Sequence, residues 1–346
     1  MLNRRTVIAS AAMAPALSSL PLSSLAQNRK DAVVLGDIPG SFRLPGSETS
    51  IRVYGFAEAN LIKDFKGTAP GDNFSNLMEQ PLGNSENGKT VLTGQTSRFG
   101  FETSTPMGNG AFNTKIEADF YGYCGSECNR NRLRLRHAYG EYAGWLIGQT
   151  WSTFMDLDNL PETVDFNGPP GATSRRPVQV RYTYNNPNLA KFQFALEDPS
   201  DGAHSPNLIA RIDKGYDWGS MSARVLSHEQ RMGGVSKRGL GFGLSGSYKL
   251  TGTTTLMAQY TLMDGDNDGA YLVGANYPVV DGSTLRLDRA QGVVLGLGNV
   301  FSEQLRGTLS MGWVESRRKL GDDYVNAYGS GGNLKLFQWH AGLYYT

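Results

Sequence analysis

The feature that most constrains this chain is a two-residue alternation of apolar and polar side chains, repeated in segments of roughly ten residues. Phe112 to Tyr121 is the clearest case. Phe112, Thr114, Ile116, Ala118 and Phe120 share one face, and Asn113, Lys115, Glu117, Asp119 and Tyr121 share the other, because successive strand side chains point to opposite sides. One such strand fits a soluble sandwich as well as a membrane barrel. The connections separate the two. Short turns at 105–110, 143–144, 186–188, 214–217 and 302–304 alternate with long polar loops at 64–93, 151–176, 264–289 and 316–333. Short turns on one rim and long loops on the other characterise outer-membrane barrels, and a sandwich has no reason to keep that asymmetry. The predicted fold class is all-β, a transmembrane antiparallel up-and-down β-barrel over 51–346.

Strands are predicted near 51–63, 94–103, 111–121, 132–142, 145–150, 177–185, 190–197, 207–214, 220–228, 239–250, 253–263, 290–300, 305–315 and 334–345. Composition agrees. The 346 residues include 43 Gly, 16 Tyr and 15 Phe, a mixture suited to a large sheet with aromatic girdles. Tyr54, Trp145, Trp218, Trp313, Tyr344 and Tyr345 lie near predicted strand ends, where such girdles sit. Mean hydropathy is −0.36, and no apolar run after the N-terminus reaches the ~18 residues a spanning helix needs. A formal net charge of +1 gives no footprint for nucleic acid, which is excluded as a partner.

The first residues read as an address. Arg4 and Arg5 precede a small, apolar stretch from Val7 to Leu25, and Ser24-Leu25-Ala26 suits a signal peptidase. A signal peptide is predicted over 1–26, leaving 27–50 as an N-terminal periplasmic or lumenal segment. A twin-arginine signal is the weaker alternative, since paired basic residues also occur in ordinary export signals. Export places Cys124 and Cys128, four apart in a Gly, Ser and Asn-rich segment, in an oxidising compartment. A small loop-tip disulfide is predicted there. No metal or cofactor is expected, because the four histidines are distant in sequence and no other cysteine exists.

Three stretches, Gly36-Asp37-Ile38-Pro39-Gly40-Ser41-Phe42-Arg43-Leu44-Pro45-Gly46, Arg52-Val53-Tyr54-Gly55-Phe56 and Ser97-Arg98-Phe99-Gly100-Phe101, carry a family resemblance. LRLRHAYGE from Leu133 to Glu141 and GQTWSTFMDLDNLPETVDFNGPPG from Gly148 to Gly171 are its most specific runs. In these the chain resembles the DcaP-like family of trimeric outer-membrane porins, over most of its length after the signal. The resemblance implies a sixteen-stranded barrel in the bacterial outer membrane, a homotrimer surrounded by lipid and lipopolysaccharide. It implies a loop, here 151–176, folded into the channel, and passage of small anionic solutes such as dicarboxylates. About fourteen strands are readable here, and the resemblance implies a further hairpin with a closing aromatic beyond Thr346. Some members carry a helical segment before the barrel, for which this chain leaves about twenty-five residues after the signal.

A porin performs no bond chemistry, so no enzyme is expected; pore width and lining charge carry its function. Arg132, Arg134 and Arg136 are spaced by two, alternating with Leu133 and Leu135. On the lipid face each would cost ~2–4 kcal/mol near the midplane, so they are expected at the lumen or the wet rim. Guanidinium forks match carboxylates, and three in a row form a candidate anion track. The structural alternative is that they neutralise Glu117 and Asp119 on the preceding strand, and both can hold together. Arg98, Lys115 and Arg181 fall on polar faces, and Arg175 and Arg176 end the long loop. Asp156, Asp158, Glu162 and Asp165 in that loop are candidates to face the arginines across a constriction, with an acidic surface loop as the plainer alternative.

Two decoys are set aside. Gly241-Phe242-Gly243-Leu244-Ser245-Gly246 matches a dinucleotide fingerprint, but its residues alternate as a strand and no crossover helix follows. Asp264-Gly265-Asp266-Asn267-Asp268-Gly269 opens like a calcium loop, but Ala275 stands where the closing Glu belongs. Two other functional classes compete: an adhesin or receptor presented on a barrel anchor, and an outer-membrane hydrolase needing a nucleophile–base pair at the rim.

Overall fold

The computed structural model describes residues 6–13, 34–65, 88, 90–122, 132–165, 168–199, 202–265, 279–281, 283–287, 289–317 and 334–346. Among the described residues all regular structure is β-strand. The strands fall into two compact units, one running to Thr150 and the other from Trp151 to Thr346.

The first unit contains β1 (Thr6–Met13), β2 (Phe42–Arg43), β3 (Ser50–Asp64), β4 (Thr90–Thr93), β5 (Arg98–Met107), β6 (Gly110–Gly122), β7 (Arg132–Tyr142) and β8 (Trp145–Gln149). Every pairing is antiparallel. β3 pairs with β5, and β5 to β8 follow as successive hairpins. The β7–β8 turn is Ala143-Gly144, with φ of 49° and 86°. Both central residues are left-handed, as a type I′ hairpin demands, and its twist matches that of the strands. β6 and β7 slip register twice, between Glu117 and Ala118 and between Asp119 and Gly122. Such bulges re-aim side chains, and Arg136 and His137, adjacent in sequence, are both buried.

The second unit contains β9 (Val178–Asn186), β10 (Ala190–Glu197), β11 (Asn207–Tyr216), β12 (Gly219–Met232), β13 (Val235–Lys249), β14 (Thr254–Asp264), β15 (Val279–Asp281), β16 (Thr284–Arg286), β17 (Arg289–Val300), β18 (Leu305–Arg317) and β19 (Leu334–Tyr345). β9 to β14 pair in chain order, then β17, β18 and β19 continue the sheet, while β15 and β16 form a separate hairpin. Its amphipathy is inverted. Leu240, Phe242 and Leu244 on β13 and Phe337, Trp339 and Leu343 on β19 are exposed, whereas Arg224, His228, Gln230, Gln259 and Thr261 are buried. In water this arrangement forfeits ~1.5–3 kcal/mol for each large apolar side chain left outside. In a bilayer it is the stable arrangement, because lipid takes the apolar side.

The predicted strands all recur, with shifted ends. The first β5 residues are instead a turn, Ser97 N–H donating to Gly94 O at 3.0 Å, so the strand starts at Arg98 rather than 94. At its other end β5 runs through Pro106 to Met107, confining the expected 105–110 turn to Gly108 and Asn109. β4, β15 and β16 lie in segments read as loops. Thr6–Met13, read as part of the signal, is a strand along β3, from Thr6↔Asp64 to Met13↔Ala57. Cys124, Cys128 and most of the calcium-like loop lie outside the described residues.

Candidate functional site

On the polar face of the first unit, neighbouring strands place alternating charges side by side. Arg134 grips Asp119 with two bonds, Nε to Oδ1 at 2.9 Å and Nη2 to Oδ2 at 2.6 Å. Arg136 donates to Glu117 Oε1 at 2.7 Å and to Asp119 Oδ2 at 2.9 Å. Tyr54 donates its hydroxyl to Glu117 at 2.9 Å, and Lys115 reaches Glu102 at 3.1 Å, which also holds Arg52. Arg98 stacks over Phe56 at 5.4 Å. Three of the pairs share an orientation: in Arg134–Asp119 the side chains are 29% and 1% exposed, in Lys115–Glu117 24% and 9%, and in Arg52–Glu102 34% and 18%. In these three the cation is the more exposed partner, whereas Arg136 is buried as deeply as the carboxylates it holds. Arg132 is exposed beyond them.

In the second unit the loop from Trp151 to Arg176 lies against the polar face of the sheet. Its root is fixed by Glu197, which accepts from Ser152 Oγ at 2.8 Å and Thr153 N–H at 2.7 Å. Phe154, fully buried, packs with Ala195, Ile209, Leu226, Met263, Ala290 and Val314. Asp156 is the hub. It accepts from Arg211 at 3.2 Å, from Asn159 at 2.7 Å and from Ser245, with Arg224 Nη1 at 3.5 Å, while Gln259 donates to its carbonyl at 2.9 Å. Burial works to raise the Asp156 pKa, but Arg211, the Asn159 and Ser245 hydrogen bonds and Arg224 outweigh it, holding the carboxyl below its ordinary range.

Further along, the loop sits on glycines. A methyl at Gly296 would overlap Pro161, and one at Gly312 would overlap Pro169 and the Pro170 carbonyl. On the loop itself, a side chain at Gly168 would strike the His340 ring, and Gly171, at φ +88°, lies against the backbone of Val293 and Trp313. The tip is tied by Glu162, which takes a two-bond grip from Arg306 at 2.9 and 3.0 Å, both ends remaining well exposed.

The predicted residues thus divide. Arg134, Arg136, Arg98 and Lys115 share one network, and Arg132 flanks it. Arg175 donates to Asp198 O at 3.0 Å and Arg176 stacks over Trp151 at 4.5 Å, both at the loop's base. Arg181 lies on β9 opposite Ala195. Asp156 and Asp165 are buried, whereas Asp158 and Glu162 are exposed. Sequence reasoning missed Arg211, Arg224 and Arg306. The first two carried a signal: Ile209, Arg211 and Asp213, and Ser222 and Arg224, repeat the two-residue spacing that singled out Arg132 to Arg136. Arg306 meets Glu162 across 144 positions, a distance no local pattern spans.

A model of the DcaP outer membrane protein family matches residues 39–322. Among solved structures, the crystal structure of the outer membrane channel DcaP of Acinetobacter baumannii is similar, at 28% identity over 90% of this chain and 89% of that one, with a TM-score of 0.78. Two others share the fold: Salmonella typhi OmpF in complex with daunomycin (13% identity, 86% of each chain, TM-score 0.56) and a loop-deleted OmpT of Vibrio cholerae (11%, 86% and 88%, 0.54). A comparison with curated proteins found no match. The fold class is that of the outer-membrane antiparallel β-barrel porins.

Proposed function

The chain belongs to the DcaP outer membrane protein family, and from that premise we propose that it is a diffusion channel preferring small anionic solutes such as dicarboxylates. Its place in the outer membrane and its porin fold follow from the family and the similar channels. The preference rests on one observation: in three ion pairs along β3, β5, β6 and β7, Arg52–Glu102, Lys115–Glu117 and Arg134–Asp119, the carboxylate is more buried than its cationic partner. A passing solute meets guanidinium and ammonium groups first. Arg132, Arg134, Lys115 and Arg98 form the proposed track, with Arg181, Arg175 and Arg176 as further cations and loop 151–176 as the constriction. Asp158 and Glu162 are the exposed carboxylates of that loop. Arg136 serves by holding Glu117 and Asp119.

The same reading extends to export and assembly. From their sequence, residues 1–26 are proposed as a cleaved signal and Cys124 and Cys128 as a small disulfide, and from the resemblance three copies are proposed to associate. Single channels in planar lipid bilayers test the central point. They are expected to favour chloride over potassium, and the double variant Arg132→Ser with Arg134→Ser is expected to shift the reversal potential toward non-selectivity. A reversal potential unchanged by the double variant overturns the assignment.

A further inference from the structure

Beneath the loop of the second unit lies a polar cluster that transport does not use. Arg224 on β12 has a side chain with no exposed surface, and its Nε, Nη1 and Nη2 make no hydrogen bond among the described residues. Its nearest carboxylate oxygen, Asp156 Oδ2, stands at 3.5 Å and is already engaged by Asn159 and Ser245. A buried guanidinium in that condition is expensive, because each N–H stripped of water and left unmet forfeits its hydration, the more so when the group is charged.

Register shows what lies in the row beside Arg224. Arg224 pairs with Gly243 on β13, and Gly243 pairs with Thr261 on β14. The guanidinium lies over Gly243, whose missing side chain makes the room: a Cβ there would come within 2.8 Å of Nε and Nη2. The arginine therefore extends across one strand toward the next. Waiting there is Thr261, fully buried, whose hydroxyl likewise makes no hydrogen bond among the described residues. Gly292, which pairs with Thr261 on the far side, is a second position without a side chain in the same row. Ser222, two residues before Arg224 on the same face and 4% exposed, contributes another hydroxyl without a partner. Phe154 closes the group from the loop side, its ring centroid 5.9 Å from the guanidinium carbon.

Charge points the same way. Asp156 answers both Arg211 and Arg224, and Asp213 answers Arg211 at 2.7 Å and Lys191 at 3.2 Å. No carboxylate is Arg224's alone among the described residues, and its charge is the one farthest from solvent. A neutral water would satisfy a hydroxyl but not that charge.

We propose that a small inorganic anion, with chloride as the natural occupant, binds between the Arg224 guanidinium and the Thr261 hydroxyl, beneath loop 151–176. The anion takes N–H donation from Arg224 and O–H donation from Thr261, and fixes the loop from below. The site stands apart from the transport reading, since a sealed anion under the loop neither requires nor produces selectivity.

Bromide replaces chloride and scatters anomalously, which makes the test direct. The full-length protein, purified in detergent and crystallised from sodium bromide, is expected to show an anomalous peak touching both Arg224 and Thr261. The isosteric variant Thr261→Val, which keeps the core volume, should weaken that peak. It should also reduce the excess melting temperature of the protein in chloride over gluconate at equal ionic strength. Density at that place without anomalous signal identifies a water and overturns the proposal, as does a chloride effect on melting that Thr261→Val leaves intact. Neither outcome bears on the bilayer reversal potential, so the two readings fail separately.

Discussion

The two units of this chain solve one problem differently. Each has a strand face lined with polar groups that an apolar membrane will not cover. In the first unit that face is satisfied by itself: Arg134 and Arg136 on β7 close onto Glu117 and Asp119 on β6. In the second unit the face is satisfied by a lid, with loop 151–176 bringing Asp156, Glu162 and a run of prolines to it. The first solution needs charges on adjacent strands. The second needs empty positions, and Gly241, Gly296 and Gly312 supply them under Phe154, Pro161 and Pro169-Pro170. A charged face can stay open to solute, whereas a notched face is made to be filled.

That contrast can be broken from either side. The largest effect is expected from Arg136→Ala, which takes a buried guanidinium away from Glu117 and Asp119 on β6. Removing one partner of a buried pair costs ~3–5 kcal/mol, so urea unfolding in detergent should shift to markedly lower midpoints. Next comes Gly312→Val, which forces side-chain volume into the Pro169-Pro170 seat. Overpacking costs ~1–3 kcal/mol, and here the loop should yield before the sheet, visible as altered single-channel conductance with an unchanged fold by circular dichroism.

Acid offers a graded version of the same cut. The Asp156 carboxyl is held below its ordinary range, near 3.9 for an unfolded aspartate. Its contribution is therefore complete above that value and is lost as pH falls through the lower folded value. Conductance noise from the loop should stay flat from neutrality down to about pH 4 and rise below it; Asp156→Asn should show the raised noise at every pH. The smallest effect is expected from Glu162→Gln. Exposed pairs contribute ~0–1 kcal/mol, so stability should barely move even though Arg306 loses its partner.

Much of this was legible in the residues themselves. The alternation from Phe112 to Tyr121 placed Glu117 and Asp119 on the face opposite Phe112 and Ile116, and the β6–β7 pairing brought Arg134 and Arg136 to them. Ala143-Gly144 announced its hairpin. The bulges near Glu117 were not legible, because register slips leave no mark in a period-two pattern, and they bury His137 beside Arg136. β4, β15 and β16 escaped because strands of three or four residues are too short to alternate. The hub at Asp156 escaped for another reason. Its partners Arg211, Arg224 and Ser245 come from three different strands, and only the folded sheet makes them neighbours.

The glycine seat has a consequence for how channels of this kind diverge. How far the loop stands off the wall is decided by side-chain volume at Gly296 on β17 and Gly312 on β18, positions far along the chain from the loop they support. A single methyl gained there acts like a shim under a valve seat. If the loop is the constriction proposed above, relatives with identical loops will differ in throughput, and the residues that explain the difference will be found in the wall.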